Sequence, residues 1–175
     1  MRDLISSIEG EWRRYKALGE GAIQQVHDDE LGRDAGGNSI AVIVWHIGGN
    51  LKSRFTDFLD SDGEKPWRDR ESEFDDRSNV TRTELLDKWN SGWTALLAAL
   101  EPLSDEDLSR TVTIRGVKSR VHEALHRALA HTSYHVGQIV LLAKGFRGAE
   151  WKSLTIPRGK SQEYNQNPVR EKPPR

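Results

Sequence analysis

The sequence predicts an all-α protein, a four-helix bundle, and three observations carry the prediction. Apolar residues recur at three- and four-residue spacing in four long stretches. Gly-, Pro- or charge-rich segments separate those stretches, with a long charged connection after the second. One short segment, Thr111 to Gly116, alternates in the manner of a brief strand.

The first helix is expected from Leu4 to about Val26, with Leu4, Ile5, Ile8, Trp12, Tyr15 and Leu18 on one face. Gly19 and Gly21 weaken it near its end. His27 follows in the acidic exit His27-Asp28-Asp29-Glu30, which reads as a solvated face. Gly36-Gly37-Asn38 reads as a turn that delivers Ser39 as an N-cap. The second helix is expected from Ile40 to Leu59, with Ile40, Ile43, Val44, Ile47, Leu51, Phe55 and Phe58 on one face. Its opening run of β-branched residues suits a strand equally well, but the helical spacing persists through Phe58. Gly48 and Gly49 each cost about 1 kcal/mol inside a helix. Close backbone packing, or open space beside His46, is the expected reason for them.

Residues 61–79 read as a charged loop, which Trp67 and Phe74 are expected to anchor over the end of the bundle. Arg68, Arg70 and Glu71 read as a solvated charge run, with anion binding as the alternative. The third helix opens on Thr81-Arg82-Thr83-Glu84, a capping-box pattern, and carries Leu85, Leu86, Trp89, Trp93, Leu96, Leu97 and Leu100 into the core. Ser104 is placed to cap one short turn. The fourth helix starts near Ser119 and runs through Lys144, with Gly145 as its stop. Residues 1–160 are thus read as the bundle domain and 161–175 as a flexible, polar, Pro-rich tail.

Composition narrows the chemistry. The 175 residues include 26 basic and 27 acidic side chains, a net charge of −1, which gives no electrostatic case for nucleic acid or membrane binding. No apolar run approaches the roughly 18 residues of a spanning helix, and the N-terminus lacks a signal-peptide core, so a soluble cytoplasmic protein is expected. There are no cysteines, which excludes disulfides, thiolate zinc sites and cysteine nucleophiles. Any metal must therefore be held by His, Asp, Glu or water. Six tryptophans against a mean hydropathy of −0.71 assign much of the burial to large aromatics.

The chemistry concentrates on the fourth helix. His131 and His135 are four apart, so both imidazoles leave one face, about 5–6 Å apart at Cβ. They sit at the edge of the apolar sector formed by Val121, Ala124, Leu125, Ala128, Thr132, Ile139 and Leu142. His122 and His126 have the same spacing but point roughly the opposite way. Taken alone, such a pair reads as core histidines satisfied by backbone or serine partners. His46, beside the apolar stripe of the second helix, supplies a third imidazole in a bundle that builds sites from facing helices. Three neutral nitrogens with coordination positions left open are the pattern of catalytic rather than structural metal sites. Gln138, about a turn beyond, is placed either to orient a metal-bound water or to satisfy a backbone group. Tyr134 is off the ligand face and is expected to pack.

Four segments carry a resemblance. Trp45-His46-Ile47-Gly48-Gly49-Asn50-Leu51, Arg70-Glu71-Ser72-Glu73-Phe74, His131-Thr132-Ser133-Tyr134-His135-Val136-Gly137-Gln138-Ile139 and Leu154-Thr155-Ile156-Pro157-Arg158-Gly159 resemble a branch of the DinB/YfiT-like superfamily known only as a domain of unknown function. The resemblance spans about residues 1–165. It implies a bundle in up-down-down-up order, often a homodimer, with a divalent metal on His46, His131 and His135. It also implies a small-molecule substrate and a metal-dependent reaction. Transfer of a low-molecular-weight thiol comes first, hydrolysis second, and a non-catalytic metal-binding or stress-response bundle third. Zn and Ni head the candidate metals, and three imidazoles also accept Fe, Co and Mn. Leu129 and Val140 suggest a second apolar face that a partner copy would bury.

Overall fold

The computed structural model describes residues 1–169 and is all-α apart from one hairpin. Helix α1, Asp3–Ile23, takes its N-cap from a distant residue: the Asp105 carboxylate accepts from the amides of Asp3 (2.9 Å) and Ile5 (3.0 Å). The short α2, Asp28–Leu31, follows an exposed His27, as expected of a solvated exit. Helix α3, Ile40–Phe55, starts on Ser39, whose Oγ accepts from the Val42 amide at 3.1 Å. It stops four residues before the expected Leu59, because Thr56 is extended and Asp57 has φ +48°. Phe58 nonetheless stays buried, so apolar spacing outlasted the helix.

Helix α4, Arg82–Leu100, has the expected reciprocal cap: Thr81 Oγ1 accepts from the Glu84 amide, and the Glu84 carboxylate accepts from the Thr81 amide. A 3-10 turn, Asp105–Ser109, then leads to strand β1, Thr111–Ile114, which pairs antiparallel with an unexpected strand β2, Val117–Arg120. Their two-residue turn, Arg115 (φ +54°) and Gly116 (φ +74°), needs positive φ at both positions. Asp62 holds it there, accepting from the amides of Arg115 and Gly116 at 2.8 Å each and from Glu64 at 2.7 Å. The charged loop and the hairpin are thereby laced together.

Helix α5, Val121–Arg147, is 27 residues long, about 40 Å. It runs through Gly145, the expected stop, and ends instead on Gly148 at φ +52°. Beyond it, Gln25 clips the chain back onto α1, its side chain bonding the amide (2.8 Å) and carbonyl (3.0 Å) of Lys152. Helix α6, Ser161–Asn165, falls within the expected tail; residues 170–175 of that tail lie outside the described residues.

Among the four long helices, α3 lies against α4 and α5, and α1 against α5 and α4. The α3–α4 contact is tight at two glycines. A Cβ on Gly92 would fall 2.7 Å from the Gly48 Cα and carbonyl, and one on Gly48 would fall 2.6 Å from the Lys88 carbonyl. Inside the bundle Trp93 packs against Trp12 (centroids 5.8 Å apart, 78° between planes) and Trp89 (5.3 Å, 49°). All three indoles are fully buried, and none of their N–H groups has a hydrogen-bond partner among the described residues. Leu129 and Val140 are half-buried against the core of their own chain, whereas Leu141 on α5 is 70% exposed. Among the described residues no helix is long and apolar enough to cross a membrane.

Candidate metal centre

Helices α3 and α5 bring His46, His131 and His135 together. The three rings meet edge to face, with centroids 4.6 to 5.1 Å apart and planes 75° to 79° apart. One nitrogen from each lies within 4.8 Å of the others, close enough to hold a single metal ion.

Which nitrogens face inward follows from the outer partners. Glu73 Oε2 lies 2.9 Å from His46 Nδ1, and an ionised carboxylate can only accept, so Nδ1 carries the proton and donates. Gln138 Oε1 lies 2.7 Å from His135 Nδ1 and accepts from it in the same way, while Gln138 Nε2 donates to the Tyr134 hydroxyl at 3.2 Å. His46 and His135 are each left with a lone pair on Nε2. His46 Nε2 stands 3.1 Å from His131 Nε2. Two imidazoles sharing a tetrahedral ion at about 2.05 Å would place their nitrogens about 3.3 Å apart, so the donors fit.

Gln138 thus has a different task from either expected one: it touches neither a backbone group nor the inner face, and fixes a ligand ring from behind. Tyr134 is exposed, with its ring 5.0 Å from that of His135, and does not pack in the core.

Glu73 is the residue sequence reasoning missed. It lies in a 3-10 turn, Glu71–Phe74, of the loop read as solvated charge. Its side chain is only 4% exposed and is gripped by Arg68, 2% exposed, through Nε to Oε1 (2.8 Å) and Nη2 to Oε2 (2.9 Å). Arg68 is therefore buried and paired, which corrects the solvated reading for this residue, while Arg70 and Glu71 stay at the surface as expected. Trp67 and Phe74 do not anchor the loop as expected: Trp67 is 53% exposed, and Phe74 lies at the surface with its ring 5.1 Å from that of His46. The buried anchors are Lys65, Arg68 and Glu73. One signal for Glu73 was present in the sequence, in Gly49. A Cβ there would fall 2.0 Å from Glu73 Oε1, so the open space expected beside His46 holds this carboxylate.

The electrostatics suit neutral ligands. Burial, then the fields of His135, His46, Arg68 and Arg54, push His131 down to about 4. Burial also lowers His135, helped by His46 and opposed by the hydrogen bond to Gln138. For Glu73, burial alone would raise the pKa; hydrogen bonds from His46 and Arg68 and the charge of Arg68 outweigh it and keep the carboxylate below its usual range. Lone pairs on neutral imidazoles and a carboxylate behind one of them are what a divalent cation requires.

His122 and His126 lie apart from this cluster, exposed on α5, with His122 Nδ1 bonded to the Leu108 carbonyl at 3.0 Å. An open cavity of about 450 Å³ extends from His46 and His131 toward the hairpin.

A family profile described as a protein of unknown function, DUF1572, matches residues 1–160. No curated protein and no solved structure matches the chain significantly.

Proposed function

The chain belongs to the DUF1572 family, and from its own site we propose a divalent-metal-dependent enzyme whose ion is held by His46, His131 and His135. The observation that carries this is the convergence of one ring nitrogen from each of three histidines, two of the rings being fixed from behind by Glu73 and Gln138. Three protein ligands leave coordination positions for a substrate, and the cavity reaches two of those ligands. That access favours catalysis over an ion that merely staples the helices.

A divalent ion in this position supplies a Lewis acid that eases deprotonation of a thiol or a water. The surrounding side chains favour the thiol. Glu73 is engaged by Arg68 and His46, and the Gln138 carboxamide is not a base, so neither is placed to take a proton from water; a thiol, with its ordinary pKa of about 8.5, can lose its proton to solvent. Transfer of a low-molecular-weight thiol to a small substrate is therefore the first reading, and hydrolysis the second.

The DinB/YfiT-like relationship, with its up-down-down-up order, belongs to the same proposal. It is supported by four long helices that each touch two others and by ligands divided between α3 and α5.

The test is elemental analysis of protein purified metal-free and then loaded with Zn or Ni, comparing wild type with His135→Ala. One ion per chain, lost in the variant, is expected and would justify screens for thiol transfer and hydrolysis. Equal loading, or none in either protein, sinks the site.

A further inference from the structure

The chain is nearly neutral, yet Arg54, Arg68, Arg70, Arg115 and Arg127 all line the cavity beside the histidines. Their carboxylate partners are fewer. Arg68 is paired with Glu73, and Arg70 with Glu71 at the surface. Arg54 and Arg115 share one carboxylate, Glu64, at 3.2 and 2.9 Å. Arg127, exposed on α5, makes no hydrogen bond or ion pair among the described residues. Three carboxylates thus pair with four of the five guanidinium groups, and Arg127 is left without one among the described residues.

Arg68 uses Nε and Nη2 on Glu73, so the arginines left to meet a ligand are those nearer the surface, Arg115 and Arg127. Apart from Asn50 and Ser119, the remaining lining is apolar and includes Phe55, Phe58, Ile114, Ala124 and Ala128. Cationic rim and largely apolar wall stand within one space of about 450 Å³, a size suited to a small metabolite.

We propose that this cavity binds an organic oxyanion, a carboxylate or phosphate on an apolar body, with Arg127 and Arg115 as donors to the anionic group. Resting on the reading of the histidines as a metal-dependent site, the same molecule directs its other end toward His46 and His131. The substrate class is then an anion with a hydrophobic portion. An uncharged molecule of equal size lacks the group that satisfies the arginines. Guanidinium donors suit carboxylate and phosphate alike, since both present paired oxygens to a planar fork.

The test is calorimetric titration with 4-phenylbutyrate, phenyl phosphate and the uncharged 4-phenyl-1-butanol, on metal-free and Zn-loaded protein. Either anion is expected to bind more tightly than the alcohol. Arg127→Gln, at a position with no structural partner, is expected to weaken anion binding by about tenfold, as for one lost charge-assisted hydrogen bond, and to leave the alcohol unaffected. Which anion binds identifies the headgroup. Equal binding of anions and alcohol, no anion binding at millimolar concentration, or unchanged affinity in Arg127→Gln overturns the proposal. The arginines are not metal ligands, so the preference should already exist without Zn. Anion preference without stoichiometric Zn binding supports this inference and sinks only the metal reading; Zn binding without anion preference does the reverse.

Discussion

Replacing Glu73 by Gln separates what holds the loop from what tunes the site. The glutamate side chain is 4% exposed, accepts two hydrogen bonds from Arg68 and one from His46, and has no solvent to replace them. Gln keeps the shape and one acceptor but removes the charge. Arg68, 2% exposed, is then a buried cation without its counterion, a situation that costs about 3–5 kcal/mol. Lys88 adds to the strain in charge. Burial already lowers its pKa, with the Glu73 carboxylate opposing, so losing that carboxylate lowers it further. Metal affinity is expected to fall separately, by about 10- to 100-fold, since His46 donates to a neutral amide rather than to a carboxylate. Urea denaturation of metal-free protein reads the first effect, and Zn competition against a chromophoric chelator reads the second. The double variant Arg68→Met, Glu73→Gln removes both charges. It should recover most of the stability while metal affinity stays low. If Glu73→Gln changes stability by less than about 0.5 kcal/mol, the buried-pair reasoning is refuted. If the double variant restores metal affinity, Glu73 acts on the fold and not on His46.

Two further outcomes follow from the packing and the electrostatics. Gly92→Ala should destabilise by about 1–3 kcal/mol in urea melts, because its Cβ would fall 2.7 Å from the backbone of Gly48. Helix propensity alone would stabilise it by about 1 kcal/mol, so a gain would refute the close approach. Metal-free protein should lose stability as pH falls from about 6.5 toward about 4, the ordinary and folded values of His131. The folded value is depressed, so the unfolded chain binds more protons across that window and stability rises with pH through it. Denaturation midpoints across that window should show a shallower slope for His131→Gln, and an unchanged slope would contradict the assignment.

The parts of this molecule legible in the sequence are those written in local periodicity. Ser39 and Thr81 announced their helices because capping uses residues three apart, and His131 and His135 share a face by helix geometry alone. Gly48 and Gly49 announced close neighbours beside His46 without saying which: the α4 backbone for one and Glu73 for the other. Glu73 itself was hidden because it reaches His46 from an aperiodic loop 27 residues away, amid charges that resemble a solvated run. The second strand was hidden because Arg115-Gly116 is a weak turn signal; its positive φ at Arg115 is held by Asp62, more than fifty residues earlier. Gly145 misled in the other direction, since a glycine inside a long packed helix is tolerated when tertiary contacts on both sides hold the turn.

The three core indoles have an optical consequence. Rings with centroids 5.3 and 5.8 Å apart, rigidly inclined and sealed from water, have coupled transition dipoles. The folded chain should therefore carry an exciton couplet in far-ultraviolet circular dichroism, from the strong indole transition, and the emission of these three rings should be blue-shifted because no solvent dipoles relax around their excited states. Trp67, half in solvent above Lys52 on the loop that supplies Arg68 and Glu73, emits from a different environment. With Trp45 and Trp151 replaced by Phe, one chain would report on its interior and on the rim of its site without an added label.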